Sequence, residues 1–113
     1  MIGADAIRGH IDLIVLAILQ HEPSYAYAIA RSITESSGSD FVIKQTTLYT
    51  ALKRLEKAGL LTSYEAHSDT GRPRTYYALT PDGTAHLIRL RAEWEATRTL
   101  VDHFATAAWK DKP

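Results

Sequence analysis

From Gly9 to Gln20 the chain reads GHIDLIVLAILQ, apolar nearly all round. That pattern predicts a helix covered on most of its sides, with a second subunit among its neighbours. His21-Glu22-Pro23-Ser24 breaks the run. Ser24 is placed to cap a second helix, because its hydroxyl can accept a free amide hydrogen at the helix start. The second helix is expected to reach Ser36, with Tyr27, Ile29, Ala30 and Ile33 turned inward. Ser36 to Asp40 reads as a loop by composition, and Phe41-Val42-Ile43 as a short segment covering an edge of the core. The third helix is the most regular of the chain. In TTLYTALKRLEKAGLL, Thr46 to Leu61, residues Leu48, Leu52 and Leu55 with Ala51 and Ala58 form one apolar stripe. Thr46, Thr47, Thr50, Lys53, Arg54 and Lys57 lie opposite. Gly59 stands where a left-handed C-terminal cap is expected.

Period-two patterning follows. Leu61 to Ala66 and Thr75 to Leu79 are rich in tyrosine and threonine, and the turn-forming HSDTGRPR separates them, which predicts a two-stranded hairpin. Thr80-Pro81-Asp82 then supplies a cap, a proline at the first helical position and an acid in the first turn. The helix it opens is expected to run to about Ala108. Along it Leu87, Leu90, Trp94, Thr97, Val101, Phe104 and Ala108 alternate in steps of three and four, a heptad seam that Thr97 interrupts. The fold class that results is mainly α with a two-stranded β-wing. Residues 1–80 read as a winged helix-turn-helix domain and residues 81–113 as a C-terminal dimerisation helix.

At 113 residues, with 45% apolar and 23% charged positions, the chain has the composition of one packed domain with an appended element. It has no cysteine, which removes disulfides, thiol nucleophiles and most structural zinc sites. The longest apolar stretch, Leu13 to Leu19, falls far short of the ~20 residues a bilayer requires, and no basic leader precedes it. A cytoplasmic protein with no membrane partner is expected. The five histidines have no metal-ligand spacing; Asp82 and His86 lie four apart, but two ligands are not a site. No nucleophile constellation and no phosphate-cradling glycine loop is visible, so neither an enzyme nor a cofactor is expected.

Charge changes the picture more. The net charge is zero, yet residues 1–43 hold two bases and five acids whereas residues 44–74 hold six bases and three acids. A basic middle is compatible with a polyanionic partner that the total would have hidden. In a winged helix-turn-helix domain the third helix enters the major groove and the hairpin lies along the adjacent backbone or minor groove. On that reading Gln45, Thr46, Thr47 and Thr50 face bases, while Lys53, Arg54 and Lys57 meet phosphates. Tyr49 either bonds a phosphate or packs half-buried. Arg72 is assigned to the minor groove and Arg74 to the backbone, with Pro73 limiting the freedom of the tip. The alternatives are a solvated basic helix face and a winged-helix module that binds an acidic protein instead of DNA.

The motifs also carry a resemblance. Thr47-Leu48-Tyr49-Thr50-Ala51-Leu52-Lys53-Arg54-Leu55 with Gly59-Leu60, followed by Gly71-Arg72-Pro73-Arg74-Thr75-Tyr76-Tyr77-Ala78-Leu79-Thr80 with Gly83, resembles the PadR family of bacterial transcriptional regulators. Ile14-Val15-Leu16-Ala17-Ile18-Leu19 fits the family's first helix, and the match spans roughly residues 9–108. The chain departs from the family in Tyr25-Ala26-Tyr27-Ala28, where a His-Gly-Tyr-Glu run is usual, and in Thr50, where proline is usual. The resemblance implies a homodimer on a palindromic double-stranded DNA operator, in most cases a repressor released by a small molecule. Ile11, Leu87, Leu90, Trp94, Val101 and Phe104 are then the expected dimer interface. The single C-terminal helix resembles the small subfamily, in which some members bind flat aromatic compounds between subunits. Leu90 and Trp94 are the candidates for contacting such an effector, with plain packing as the alternative for Trp94.

Overall fold

The computed structural model describes residues 2–111. The order of elements is α1 (Ala4–Arg8), α2 (Ile11–His21), β1 (Ser24–Tyr25), α3 (Ala26–Ser36), α4 (Gln45–Lys57), β2 (Leu61–His67), β3 (Pro73–Leu79) and α5 (Pro81–Ala105), closed by a short 3₁₀ turn over Ala108–Asp111. The first helix of the sequence reading thus begins two residues later, and the short α1, no residue of which is buried, precedes it.

One apolar core joins α2, α3, α4, the sheet and the start of α5. Val15 and Leu16 of α2, Ile29 of α3, Leu48 and Leu52 of α4 and Leu87 of α5 are fully enclosed in it. The α4 stripe faces inward at Leu48, Ala51, Leu52 and Leu55 as its spacing requires, whereas Ala58 caps the helix and is exposed; Ile43 seals the edge while Val42 is turned to solvent. The second helix differs from expectation at its start. Ser24 lies in β1 rather than at a cap, the capping position is Tyr25, and no side chain bonds the first amides of α3. Tyr27 points outward, 62% exposed, because it falls on the side of α3 opposite Ile29 and Ile33.

The C-terminus of α4 closes with reciprocal bonds. Gly59, at φ +80°, donates to the Glu56 carbonyl (2.9 Å) and Leu60 to the Leu55 carbonyl (3.0 Å), the double bonding that a left-handed residue permits. The same turn is fastened to α5. Thr80 N–H donates to the Leu60 carbonyl (3.1 Å), its hydroxyl donates to the Gly59 carbonyl (2.7 Å), and that hydroxyl accepts from Gly83 N–H (3.0 Å) as the α5 cap.

The wing pairs Leu61 with Leu79 through His67 with Pro73, antiparallel throughout. A third strand joins it. β1 pairs the other side of β3, Ser24 opposite Tyr77 and Tyr25 opposite Tyr76, so the sheet order is β1-β3-β2. The strands also run further toward the tip than the turn composition implied, leaving Ser68 to Arg72 as the loop, with Gly71 at φ +82°. α5 ends at Ala105, short of the expected Ala108, whose side chain lies outside the described residues, as do residues 112–113.

Candidate nucleic-acid interface

With the leucines of α4 buried, the opposite arc of that helix is left to solvent. Gln45, Thr46, Thr47, Tyr49, Thr50, Lys53, Arg54 and Lys57 are all exposed. No side chain caps the start of α4, no acid lies in its first turn, and the exposed Lys44 occupies the capping position. The amide end and the lysine both favour an anion. Lys44 was missing from the sequence-derived set, although it opens the basic segment 44–74.

Two clefts flank this arc. The one toward α2, about 330 Å³, is lined by Thr46, Thr47, Thr50 and Arg54 on α4 and by Arg8, Ile11 and Asp12. Arg54 does not project freely from it. Its guanidinium donates two bonds to the Asp12 carboxylate (2.9 and 2.6 Å), and that bonding raises the pKa of Arg54 against the opposing effect of burial. Arg54 is therefore a brace between α4 and α2 in this conformation, not the free phosphate contact its place on the basic face suggested. Arg8 is likewise paired, with Asp5 at 2.6 Å. Ile11, expected at the dimer interface, borders this cleft and is half-buried.

The cleft toward the wing is larger, about 430 Å³, and is built from three elements: Tyr49, Lys53 and Glu56 of α4, Ser63, Arg74 and Tyr77 of the wing, and Tyr25 to Tyr27 at the start of α3. Arg74 lies within β3, and its guanidinium carbon sits 4.2 Å from the centre of the Tyr25 ring. Tyr25 in turn packs edge-on against Tyr76 (5.4 Å), and Tyr76 stacks on Tyr64 (5.8 Å). The Glu56 carboxylate accepts from the Ser63 hydroxyl. Tyr77 is buried, and burial, then Glu56 and Tyr49, push its phenol above the usual range. Tyr76 and Tyr77 thus face opposite sides of the strand as alternation demands. Arg72 is exposed at the loop tip, where its N–H donates to the Ser68 hydroxyl (3.3 Å). Sequence reasoning missed Tyr25 and Tyr27 as members of this surface; the pairing of β1 with β3 that brings them there leaves no local signal.

The candidates on α5 separate. Leu87 is fully buried in its own subunit and therefore belongs to the core, a correction to its assignment as an interface residue. Leu90 is half-buried against that core. With Trp94 it lines a cavity of about 190 Å³ together with Gly9, His10, Asp12 and Leu13, and the His10 and Trp94 rings meet edge to face at 4.8 Å. Val101 and Phe104 lie in the open, 57% and 55% exposed.

Comparison with known proteins agrees with the geometry. An uncharacterised protein from Lysinibacillus sphaericus is 36% identical over 104 residues, 92% of this chain and 95% of that protein. A transcriptional regulator from Clostridium thermocellum superposes with a TM-score of 0.84 at 40% identity, covering 92% of this chain and 98% of that one. A PadR family transcription regulator from Clostridium difficile gives 0.76 at 35% identity, covering 86% and 99%. The PadR-like transcriptional regulator family matches residues 15–89, and with the winged helix, the exposed α4 arc and the long C-terminal helix already in place, the chain belongs to that family.

Proposed function

We propose that the protein binds double-stranded DNA as a homodimer at a palindromic operator and acts as a repressor relieved by a small molecule. The observation that carries the DNA reading is α4: one face is sealed into the core while the other offers Gln45, Thr46, Thr47 and Thr50 near an uncapped helix start. In this reading residues 1–80 form the DNA-binding domain, with Tyr49, Lys53, Lys57, Arg72 and Arg74 on the backbone. Residues 81–113 form the dimerisation helix. Two half-sites would lie about one helical turn, roughly 34 Å, apart.

The dimer reading is supported by an apolar end without a cover. Leu100, Val101 and Phe104 are exposed on α5. A groove of about 360 Å³ lined by Ile7, Leu13, Ile14, Ala17 and Ile18 provides a matching surface on α1 and α2. The effector reading places a planar aromatic compound against Trp94 and Leu90, close to that interface. Function on chromosomal DNA places the protein in the cytoplasm; no described helix is long and apolar enough to cross a membrane.

The test is binding of the purified protein to duplex from the region upstream of its own coding sequence. The expected result is a sequence-preferring complex that weakens steeply with salt, and Thr50→Ala should reduce the preference about tenfold without affecting binding to random duplex. Absence of any salt-sensitive complex would remove the regulator reading. For the effector, quenching of fluorescence by planar aromatic compounds should vanish in Trp94→Phe; quenching that persists, now from Trp109 alone, would take Trp94 out of the site.

A further inference from the structure

The wing-side cleft has properties that the recognition face as a whole does not. Three segments remote in sequence meet there only because β1 pairs with β3 and draws the start of α3 against the wing. Each brings a hydrogen-bond donor. Lys53 comes from α4, Arg74 from β3, and the phenols of Tyr27 and Tyr49 from α3 and α4.

Neither cation is spent within the protein. Lys53 and Arg74 form no ion pair among the described residues, and Arg74 Nε is buried there without a hydrogen-bond partner. What holds Arg74 is the face of Tyr25, which orients a guanidinium without neutralising it. The one acid in the cleft, Glu56, is engaged by Ser63, so two cations stand against a single, already bonded carboxylate. The first turn of α3 adds amides that no side chain caps, and it contains no acid of its own. A site of donors, aromatic walls and net positive charge suits a monoanion with several acceptor oxygens and an apolar body.

We infer that this cleft seats one DNA backbone phosphodiester per subunit, gripped jointly by Lys53 and Arg74 and bonded by the Tyr27 and Tyr49 hydroxyls, with Tyr25 as the positioning residue that aims Arg74. The inference rests on the DNA-binding reading above and names the subsite within it. A phosphodiester is favoured over a free aromatic acid because the cleft borders the exposed arc of α4. A helix lying in the major groove brings the flanking sugar-phosphate strand to that border. The cleft on the other side of α4 is not equivalent, since its two arginines are already paired with Asp12 and Asp5.

The experiment measures duplex affinity against salt for the full-length wild type, Lys53→Gln, Arg74→Gln, the double variant, Tyr27→Phe, Tyr25→Phe and Tyr25→Leu. Neutralising one phosphate contributes about 0.9 to the log–log slope, so loss of one seat in each of two subunits should flatten it by about 1.8. Because both cations serve the same phosphate, the double variant should flatten the slope no further than that. Tyr27→Phe should weaken binding roughly ten- to a hundredfold with the slope unchanged, the loss of one hydrogen bond, about three- to tenfold, in each of two subunits. Tyr25→Leu should behave like Arg74→Gln, and Tyr25→Phe, which keeps the ring, should bind like wild type. Methylphosphonate substitution along the duplex adds a readout independent of variant folding. One position in each half-site should weaken the wild type while leaving the double variant unaffected. Slopes that fall by two phosphates per subunit in the double variant, or a Tyr25→Phe variant as impaired as Tyr25→Leu, would overturn the shared seat. If the wild type binds DNA and none of these variants differs from it, the cleft is not a phosphate site and the regulator reading stands. If the wild type binds no duplex, that reading fails and this inference falls with it.

Discussion

The two halves of α5 are written in similar amphipathic code and end in opposite surroundings. From Pro81 to Leu90 the helix is part of the subunit: Thr80 fastens it to the end of α4, Gly83 is buried against the Leu60 backbone, and Leu87 is fully enclosed. Every residue from Arg91 to Asp102 is exposed, apart from the reach of Arg91 to Gln20 (2.7 Å) and the contact of Trp94 with His10. The difference teaches that a three-four repeat states only that a face will be covered. Which body covers it is settled by where the helix passes, and Leu90 is the last residue of α5 that packs against the core. At about 1.5 Å per residue the 25-residue helix is some 37 Å long, which accounts for a molecule extended to 64 Å in one direction and only 30 and 21 Å in the others.

Substitutions along α5 can sharpen this contrast through their effect on folding of the subunit. Leu87→Ala removes an enclosed side chain and should cost about 2–5 kcal/mol in denaturant unfolding. A loss under ~1 kcal/mol would mean the first half is less integral than its burial indicates. Gly83→Ala comes next. Its methyl group would collide with the Leu60 carbonyl oxygen and approach Leu79 Cδ1 to 2.8 Å. Overpacking of this kind costs roughly 1–3 kcal/mol or more against backbone, outweighing the ~1 kcal/mol that alanine gains in helix propensity. An unchanged or higher melting temperature would contradict the close approach. Thr80→Ala removes the cap and its bond to Gly59, and a loss of about 1 kcal/mol is expected by the same measurement. Smallest in folding terms should be Val101→Glu combined with Phe104→Glu. The helical circular dichroism should survive, while sedimentation should report one chain instead of two. A dimer that persists would end the assignment of this half to the partner.

Much of this was readable along the chain. The leucine stripe of α4, the left-handed Gly59, the Thr80-Pro81 start and the alternation of Tyr76 with Tyr77 all rest on periodicities and caps that act over a few residues, and each holds in the structure. Tyr27 is the exception: its aromatic ring reads as apolar and inward beside Ile29 and Ile33, whereas in α3 it stands on the opposite side, exposed at the wing-side cleft. Leu87 was assigned to the seam because it continues the spacing of Leu90 and Trp94, which cannot reveal where the core stops.

By itself, then, the sequence determined α2 to α5 and the two wing strands to within a few residues at their ends, and the polar arc of α4, because helix caps, turns and stripes are local physics repeated at short range; α1 and β1 carry no such signal. Only the tertiary structure decided which positive charges of that arc and of the wing are still available. Arg54 is matched by Asp12, 42 residues away, and Arg74 is carried by the ring of Tyr25 across a strand pairing. Two arginines of equal standing in the sequence became a brace and a free cation, since an ion pair depends on distance in space and the chain closes that distance only on folding.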